Sequence, residues 1–361
     1  MDYNKIKITV DQAIKIAFEN FDIQGTAKPL PGEIDFNFKI DAVDGADYIL
    51  KVSRPDENAD YLDFQQKLLL YANDQAKDLT VPKVIRDRQG NLISEIKDEY
   101  GNIRKVRLLS WISGRVWSTV NPQLDNLRHS LGEHCGRLTY ALQGFDHPEA
   151  HRKFVWDIAE GAWTTDHLHL FSGEQKEIVS YFQDQFKQAR SGYSQLRKAV
   201  VHNDANDNNV IVSQDLISPK VVSAIDFGDS VYTQIINDLA VACAYAIMGH
   251  NDPLEAAIPI VRGYHRSFPL EENELEHLYM AIAMRLVISV TKSAINKKEE
   301  PDNTYLLISE KPAWELLRKW KDVNADFAHY SFREACGYSA HPKEETFAAW
   351  AKKQNFSLDK L

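Results

Sequence analysis

Two carboxylates and an amide stand at the ends of apolar runs in residues 198–229. Ala199, Val200 and Val201 lead into His202-Asn203-Asp204. Asn209 opens Val210-Ile211-Val212, and Val221-Val222-Ser223-Ala224-Ile225 stops at Asp226. Asn209 and Asp226 offer hard oxygen donors, of the kind Mg²⁺ accepts while keeping waters and a nucleotide's phosphates as its other ligands. Asp204 is then left to orient a hydroxyl and accept its proton. The spacing reads Asp-x-x-x-x-Asn followed by Asp-Phe-Gly. The plainer alternative is a polar turn with surface acids. Either half of the pattern alone would not exclude it; both halves in order, around a turn, weigh against it.

Those side chains need an element to bring them together. Two short β-branched runs joined by the polar stretch 213–220 read as an antiparallel hairpin. In a hairpin the start of one strand lies beside the end of the other, roughly 5 Å away. Asn209 and Asp226 should therefore converge at one end, with Asp204 just upstream.

His202-x-Asp204-x-x-x-x-Asn209 with Ile225-Asp226-Phe227-Gly228-Asp229 resembles the aminoglycoside phosphotransferase and choline kinase superfamily. The longer string HNDANDNNVIV…AIDFGDSVYTQIINDLAVA is similar to its hydroxylysine kinase branch. The resemblance implies an α+β, protein-kinase-like fold of two lobes. Residues 1–110 would form a nucleotide-binding N-lobe with a small antiparallel β-sheet, and residues 111–361 a mainly helical catalytic and substrate C-lobe. It implies transfer of the γ-phosphoryl group of ATP or GTP to a hydroxyl of an amino-alcohol or hydroxy-amino acid. Asp204 would be the catalytic base, and Asn209 and Asp226 the Mg²⁺ ligands. Asn203 stands where protein-kinase loops carry Arg, which fits the small-molecule kinases.

Upstream, apolar spacing predicts a helix over 9–21. Ile34, Phe36, Phe38 and Ile40 alternate with Asp35, Asn37 and Lys39, and a turn at Asp44-Gly45 leads into a second run over 48–52. This is a hairpin pattern. Lys51 within it takes the place of the strand lysine that neutralises nucleotide phosphates in kinases. Residues 28–40 would then cover those phosphates, although they carry a single glycine, Gly32. A helix over 58–78 puts Asp63, Gln65 and Gln66 where a glutamate would orient the lysine, so the partner of Lys51 stays open. Short strands over 81–85, 92–97 and 103–109 complete the sheet. Residues 108–114 resemble an inter-lobe hinge, in which Leu109, Ser110 and Trp111 would contact the base. A buried strand end before a glycine turn explains the same residues.

Beyond the hinge, Asn121-Pro122 reads as a helix start, followed by the stripe Leu124, Leu127, Leu131, Cys135, Leu138 and Leu142. His147 and His151 lack a third soft ligand and read as caps or substrate contacts, not a zinc site. Helices are predicted over 173–190, 254–268, 271–295 and 344–354. Asp238 opens an apolar helix, where a carboxylate is costly unless paired. In the relatives the matching Asp helps hold the catalytic loop, so Asp238 and His202 are assigned structural roles at the site. Asp229, Tyr232, Trp156 and Arg285 are the candidates for reading the acceptor's ammonium and carboxylate. Residues 332–338 resemble a segment that precedes an aminotransferase domain in some multidomain relatives.

Composition bounds the alternatives. The formal charge of −10 argues against a nucleic-acid partner. Hydrophobic content of 44% and charged content of 26% are ordinary for a folded protein. Cys135, Cys243 and Cys336 have no paired spacing and read as buried free thiols. The N-terminus lacks an apolar signal core, and the run 239–248 is too short to span a bilayer. The expectation is a cytoplasmic monomer or homodimer acting on a small hydroxylated amine, with neither membrane nor nucleic acid as partner. Two rivals remain: a nucleotide-binding pseudokinase scaffold, and a metal-dependent hydrolase built on His202, Asp204 and Asp226.

Overall fold

The computed structural model describes residues 7–32, 35–299 and 310–353. Residues 1–6, Ile34 of the predicted strand and Gln354 of the predicted last helix lie outside them. Helix α1 (Val10–Phe21) begins at Thr9, whose hydroxyl accepts from the Gln12 N–H while the Gln12 side chain accepts from the Thr9 N–H. An antiparallel sheet follows: β1 (Gly25–Leu30), β2 (Phe36–Ala42), β3 (Asp47–Val52), β4 (Val84–Ile85), β5 (Ser94–Lys97) and β6 (Ile103–Ser110). Its order is β1-β2-β3-β6-β4, with β5 also on β6. Strand β1 has no sequence signal, since Gly25 and Pro29 are poor strand formers. Its place at the sheet edge makes Pro29 tolerable there.

Alternation gives the sheet two apolar faces. Phe38, Ile40, Leu50, Val52, Val106 and Leu108 pack with Ala13, Ile16, Ala17 and Phe21 of α1. Helix α2 (Ala59–Gln75), capped by Asn58, joins a second cluster through Phe64, Leu68 and Leu69. That cluster also holds Leu109, Leu138, Leu142, Val200, Ala224 and Phe227, so one core ties the sheet to the segment 198–229.

The remainder is mainly helical: α3 (Asp125–Ala141), α4 (Gly173–Tyr193), α5 (Ile236–Ala246), α6 (Pro253–Ser267), α7 (Glu272–Glu299), α8 (Glu310–Asp322), α9 (Ala325–Ala335) and α10 (Glu344–Lys353). Helix α3 starts at Asp125, past Asn121-Pro122, and leaves Leu124 exposed while Leu127, Leu131, Cys135, Leu138 and Leu142 are buried. Helix α7 is long and apolar enough to cross a bilayer, but 83% of its most apolar window is buried in the protein, which marks a core helix. Five short strands hold the site: β7 (Arg115–Val116), β8 (Lys198–Val201), β9 (Val210–Val212), β10 (Val221–Ala224) and β11 (Val231–Gln234). The three cysteines are free and buried.

Helices α3 and α6 touch backbone to backbone. A Cβ on Gly132 would lie 1.9 Å from the Ile260 carbonyl oxygen, and one on Gly263 would lie 2.1 Å from that of His129. Gly→Ala inside a helix ordinarily gains roughly 1 kcal/mol. Here the clash reverses the sign, and Gly263→Ala should lose about 2 kcal/mol by overpacking, read as a lower urea midpoint. A variant as stable as the parent would contradict the close crossing.

Candidate active site

Strands β9 and β10 form the antiparallel hairpin, with Val212 opposite Val221 and Val210 opposite Ala224. The Ile225 N–H donates to the Asn209 carbonyl at 2.8 Å, which sets Asn209 beside the segment that ends at Asp226. Strand β8 pairs with β11, Val201 opposite Val231, and brings residues 202–204 alongside 226–230. Two turns here are left-handed at non-glycine residues: Asn203 has φ 63° and Asp226 φ 61°. Such backbone persists only where its surroundings hold it. The Asn203 N–H donates to Asp238 Oδ1 at 2.9 Å, and its side-chain amide donates to the Asp229 carbonyl at 3.3 Å. Two residues past Asp226, the Gly228 carbonyl accepts from the Tyr61 hydroxyl at 2.5 Å and from Arg152 at 3.0 Å.

Asp204 is held on both oxygens. Oδ2 accepts from Asn209 Nδ2 at 2.6 Å, and Oδ1 accepts from Asn206 Nδ2 at 3.0 Å and Arg285 Nη2 at 2.9 Å. Burial, then the Asp229 charge, push this carboxyl well above the ordinary carboxylate range, and Arg285 pulls against them. The Arg285 side chain is 2% exposed. Its Nη1 donates to the Trp156 carbonyl at 2.8 Å, and its guanidinium lies 4.9 Å from the Trp156 ring and 5.5 Å from that of Tyr245. Of the four residues expected at the acceptor, Trp156, Arg285 and Asp229 thus gather around Asp204. Tyr232 is partly exposed and packs on the His151 ring at 4.6 Å.

Lys51 Nζ lies 3.3 Å from Asp226 Oδ1 and 3.8 Å from Asp35 Oδ2. The Lys51 charge is the main reason that Asp226 sits below the usual carboxylate range. The Lys51 side chain is 10% exposed and that of Asp226 50%, so the lysine is enclosed and a carboxylate edge stays open. The donor set fits a Mg²⁺ that keeps waters and phosphates: the Asp226 carboxylate and the Asn209 amide oxygen, whose Nδ2 is committed to Asp204. Among the described residues no group of three or more His, Cys, Asp or Glu side chains could hold a metal.

Of the helix positions expected to orient Lys51, Gln66 is buried with both amide atoms unpartnered, and the other two are used elsewhere. Gln65 accepts from Arg107, and Asp63 lies 2.6 Å from Lys67 and 3.3 Å from His147. Asp35 and Arg107 are therefore members of the site that sequence reasoning missed. Their signal was the register, which sets Arg107 directly opposite Lys51. At the expected hinge, the Ser110 N–H donates to the Lys83 carbonyl and the Trp111 N–H to that of Asp47, each at 2.9 Å. Both donors are spent inside the sheet. Leu109, just before them, is buried in the core that α2 shares with the hairpin.

His202 donates from Nε2 to the Ile225 carbonyl (3.1 Å) and accepts on Nδ1 from the Asp204 N–H (3.2 Å), the pattern of a neutral ring. Burial pushes it down to about 4. Asp238 accepts from the Asn203 N–H and the Thr139 hydroxyl, so it holds the loop 202–204 through its backbone. Asp157 caps the 3₁₀ segment 158–170 at Ala159 and accepts from Thr233 at 2.8 Å.

The sheet with its helical partner lobe, and this pairing of lysine, amide and carboxylates, define a protein-kinase-like phosphotransferase. Residues 26–276 match the family described as the phosphotransferase enzyme family, and the chain belongs to it. Its members transfer phosphoryl groups to hydroxyl acceptors. Among characterised proteins, the chain is similar to the hydroxylysine kinase of Mus musculus, at 25% identity over 82% of this chain and 84% of that one. It is 26% identical to the hydroxylysine kinase of Danio rerio, over 81% and 86%. Among solved structures, an amicoumacin kinase complexed with AMP-PNP and Ca²⁺ shares the fold at TM-score 0.65 and 17% identity, covering 92% of this chain and 96% of that one. A microcompartment-associated aminopropanol kinase does so at TM-score 0.58 and 17% identity, covering 91% and 99%.

Burial pushes the Asp238 carboxyl up from its ordinary 3.8 to about 6. The folded state therefore binds this proton more tightly than the unfolded chain does. The resulting stabilisation is complete below about pH 4 and is lost as pH rises through about 6. Asp238→Asn removes that dependence. Relative to the parent, the variant should gain on the order of 3 kcal/mol between pH 4 and pH 7. Parallel stability–pH curves from urea unfolding would refute this.

Proposed function

We propose that this enzyme transfers the γ-phosphoryl group of Mg²⁺-bound ATP or GTP to a hydroxyl of a small amino-alcohol or hydroxy-amino acid, with hydroxylysine the leading acceptor. One observation carries the reading: a carboxylate locked by Asn209 and Arg285 stands one hairpin end away from a second carboxylate paired with Lys51. The names of the relatives support the acceptor class, and the nucleotide and divalent cation in the amicoumacin kinase complex support the donor.

In this reading Asp204 orients the acceptor hydroxyl and takes its proton. Burial raises the affinity of Asp204 for that proton, which favours a general base, while Arg285 pulls the other way and holds the carboxyl in place. Lys51 offsets charge on the donor phosphates, and the amide of Asn209 spans from the base to the metal position. Asp226 and Asn209 would hold Mg²⁺, which would supply positive charge to offset that of the donor phosphates. The Trp156 ring under Arg285, with Asp229 and Tyr232, borders the acceptor's place, and the Asp229 carboxylate suits an ammonium. A pseudokinase scaffold remains the second reading. Its support is that Gln65, at the helix position that would orient Lys51, is bound to Arg107.

A panel of hydroxylated amines and amino acids offered with Mg²⁺ and ATP or GTP, followed by phosphorus NMR, tests the proposal. Nucleoside diphosphate and a phosphate monoester should appear only when acceptor and nucleotide are both present. Asp204→Ala should lower kcat about 10²- to 10⁴-fold, the range for loss of a general base. Nucleotide binding with no acceptor turned over would favour the scaffold, and turnover without nucleotide would sink the kinase reading.

A further inference from the structure

Lys51 on β3 and Arg107 on β6 are direct register partners, so two cations leave the same face of the sheet side by side. Like charges placed opposite one another across strands repel. The carboxylate that reconciles them comes from neither strand nor from α2. Asp35, immediately before β2, accepts through Oδ2 from Arg107 Nη2, and the same oxygen lies 3.8 Å from Lys51 Nζ. Arg107 Nη1 donates to Gln65 Oε1, which fixes the guanidinium from the helix side. The enclosure is nearly dry: the side chains of Lys51 and Asp35 are each 10% exposed and that of Arg107 2%. Asp35 Oδ1 and Arg107 Nε are buried without hydrogen-bond partners, so this network is not a fully satisfied structural pair.

An ammonium enclosed beside a guanidinium needs a fixed negative charge to stay where phosphates can reach it. The amide of Gln65 carries none, and Asp226 must stay open to the metal. We propose that Asp35, working with Arg107, is the positioning residue for Lys51 and fills the role of the absent helix carboxylate. This rests on the nucleotide-binding reading of the site. Its consequence is that the lysine's partner lies within the stretch expected to cover the donor phosphates, immediately before β2.

The test is Mg²⁺-ADP affinity by isothermal titration for the parent, Asp35→Asn, Gln65→Glu and the double variant Asp35→Asn/Gln65→Glu, each with a circular-dichroism melt. A parent that binds no nucleotide refutes the nucleotide reading itself, and this inference with it. If the parent binds, Asp35→Asn should weaken affinity about ten-fold or more, the scale of one charge-assisted contact. Moving the carboxylate to the helix in the double variant should recover most of that loss. A purely structural role for Asp35 would not give this rescue. Asp35→Asn affinity within about two-fold of the parent overturns the proposal. So does a folded double variant as weak as the single one. If Asp35→Asn fails to fold, the double variant decides alone: near-parental affinity supports the proposal, and weak binding or failure to fold assigns Asp35 to sheet stability and overturns it.

Discussion

The contact between Lys51 Nζ and Asp226 Oδ1 at 3.3 Å is the constraint on which the other features of the site depend. The cation comes from the middle of the sheet and the carboxylate from the end of the hairpin. Nothing local in sequence could bring them together. The shared core of Phe64, Leu68, Leu109, Leu138 and Phe227 does so by fastening α2, the sheet and the hairpin into one packed unit. Asp226 then adopts a left-handed backbone, and its turn is pinned at the Gly228 carbonyl by Tyr61 and Arg152. Strain of this kind at a small cluster of polar residues is held by the surrounding packing.

The two carboxylates of the site are made different by their neighbours. Asp226 faces a lysine and is half open, so it stays ionised and available to a cation. Asp204 is enclosed and feels Asp229, so its proton affinity rises, and the buried Arg285 offsets part of that rise. In the proposed reading, these opposed environments suit Asp226 to metal binding and Asp204 to proton transfer. Arg285 is a companion of Asp204 more than a surface for an acceptor, since both of its Nη atoms are engaged.

Much of this was legible in the sequence, and for a physical reason. The hairpin and its polar ends are local: β-branched runs, a polar turn, and the Asp-x-x-x-x-Asn and Asp-Phe-Gly spacings all lie within residues 198–229. What escaped was what depends on register and depth. Arg107 reads as an ordinary charge in an apolar run until β6 is set against β3. Asp35 alternates correctly as a solvent-facing residue, yet it is turned inward by two cations. Strand β1 carries Gly25 and Pro29, which only an edge position forgives. Asp238 was recognised as needing a partner, but a backbone N–H in a left-handed turn leaves no trace in composition.

The central claim is that Asp226, together with Asn209, completes a cation site that exists only with a nucleotide present. Electron paramagnetic resonance titration of Mn²⁺, a spectroscopic substitute for Mg²⁺, in the presence and absence of ADP measures this directly. The account predicts tight Mn²⁺ binding that requires the nucleotide and disappears in Asp226→Asn. Tight binding without nucleotide, or undiminished binding in Asp226→Asn, would contradict it.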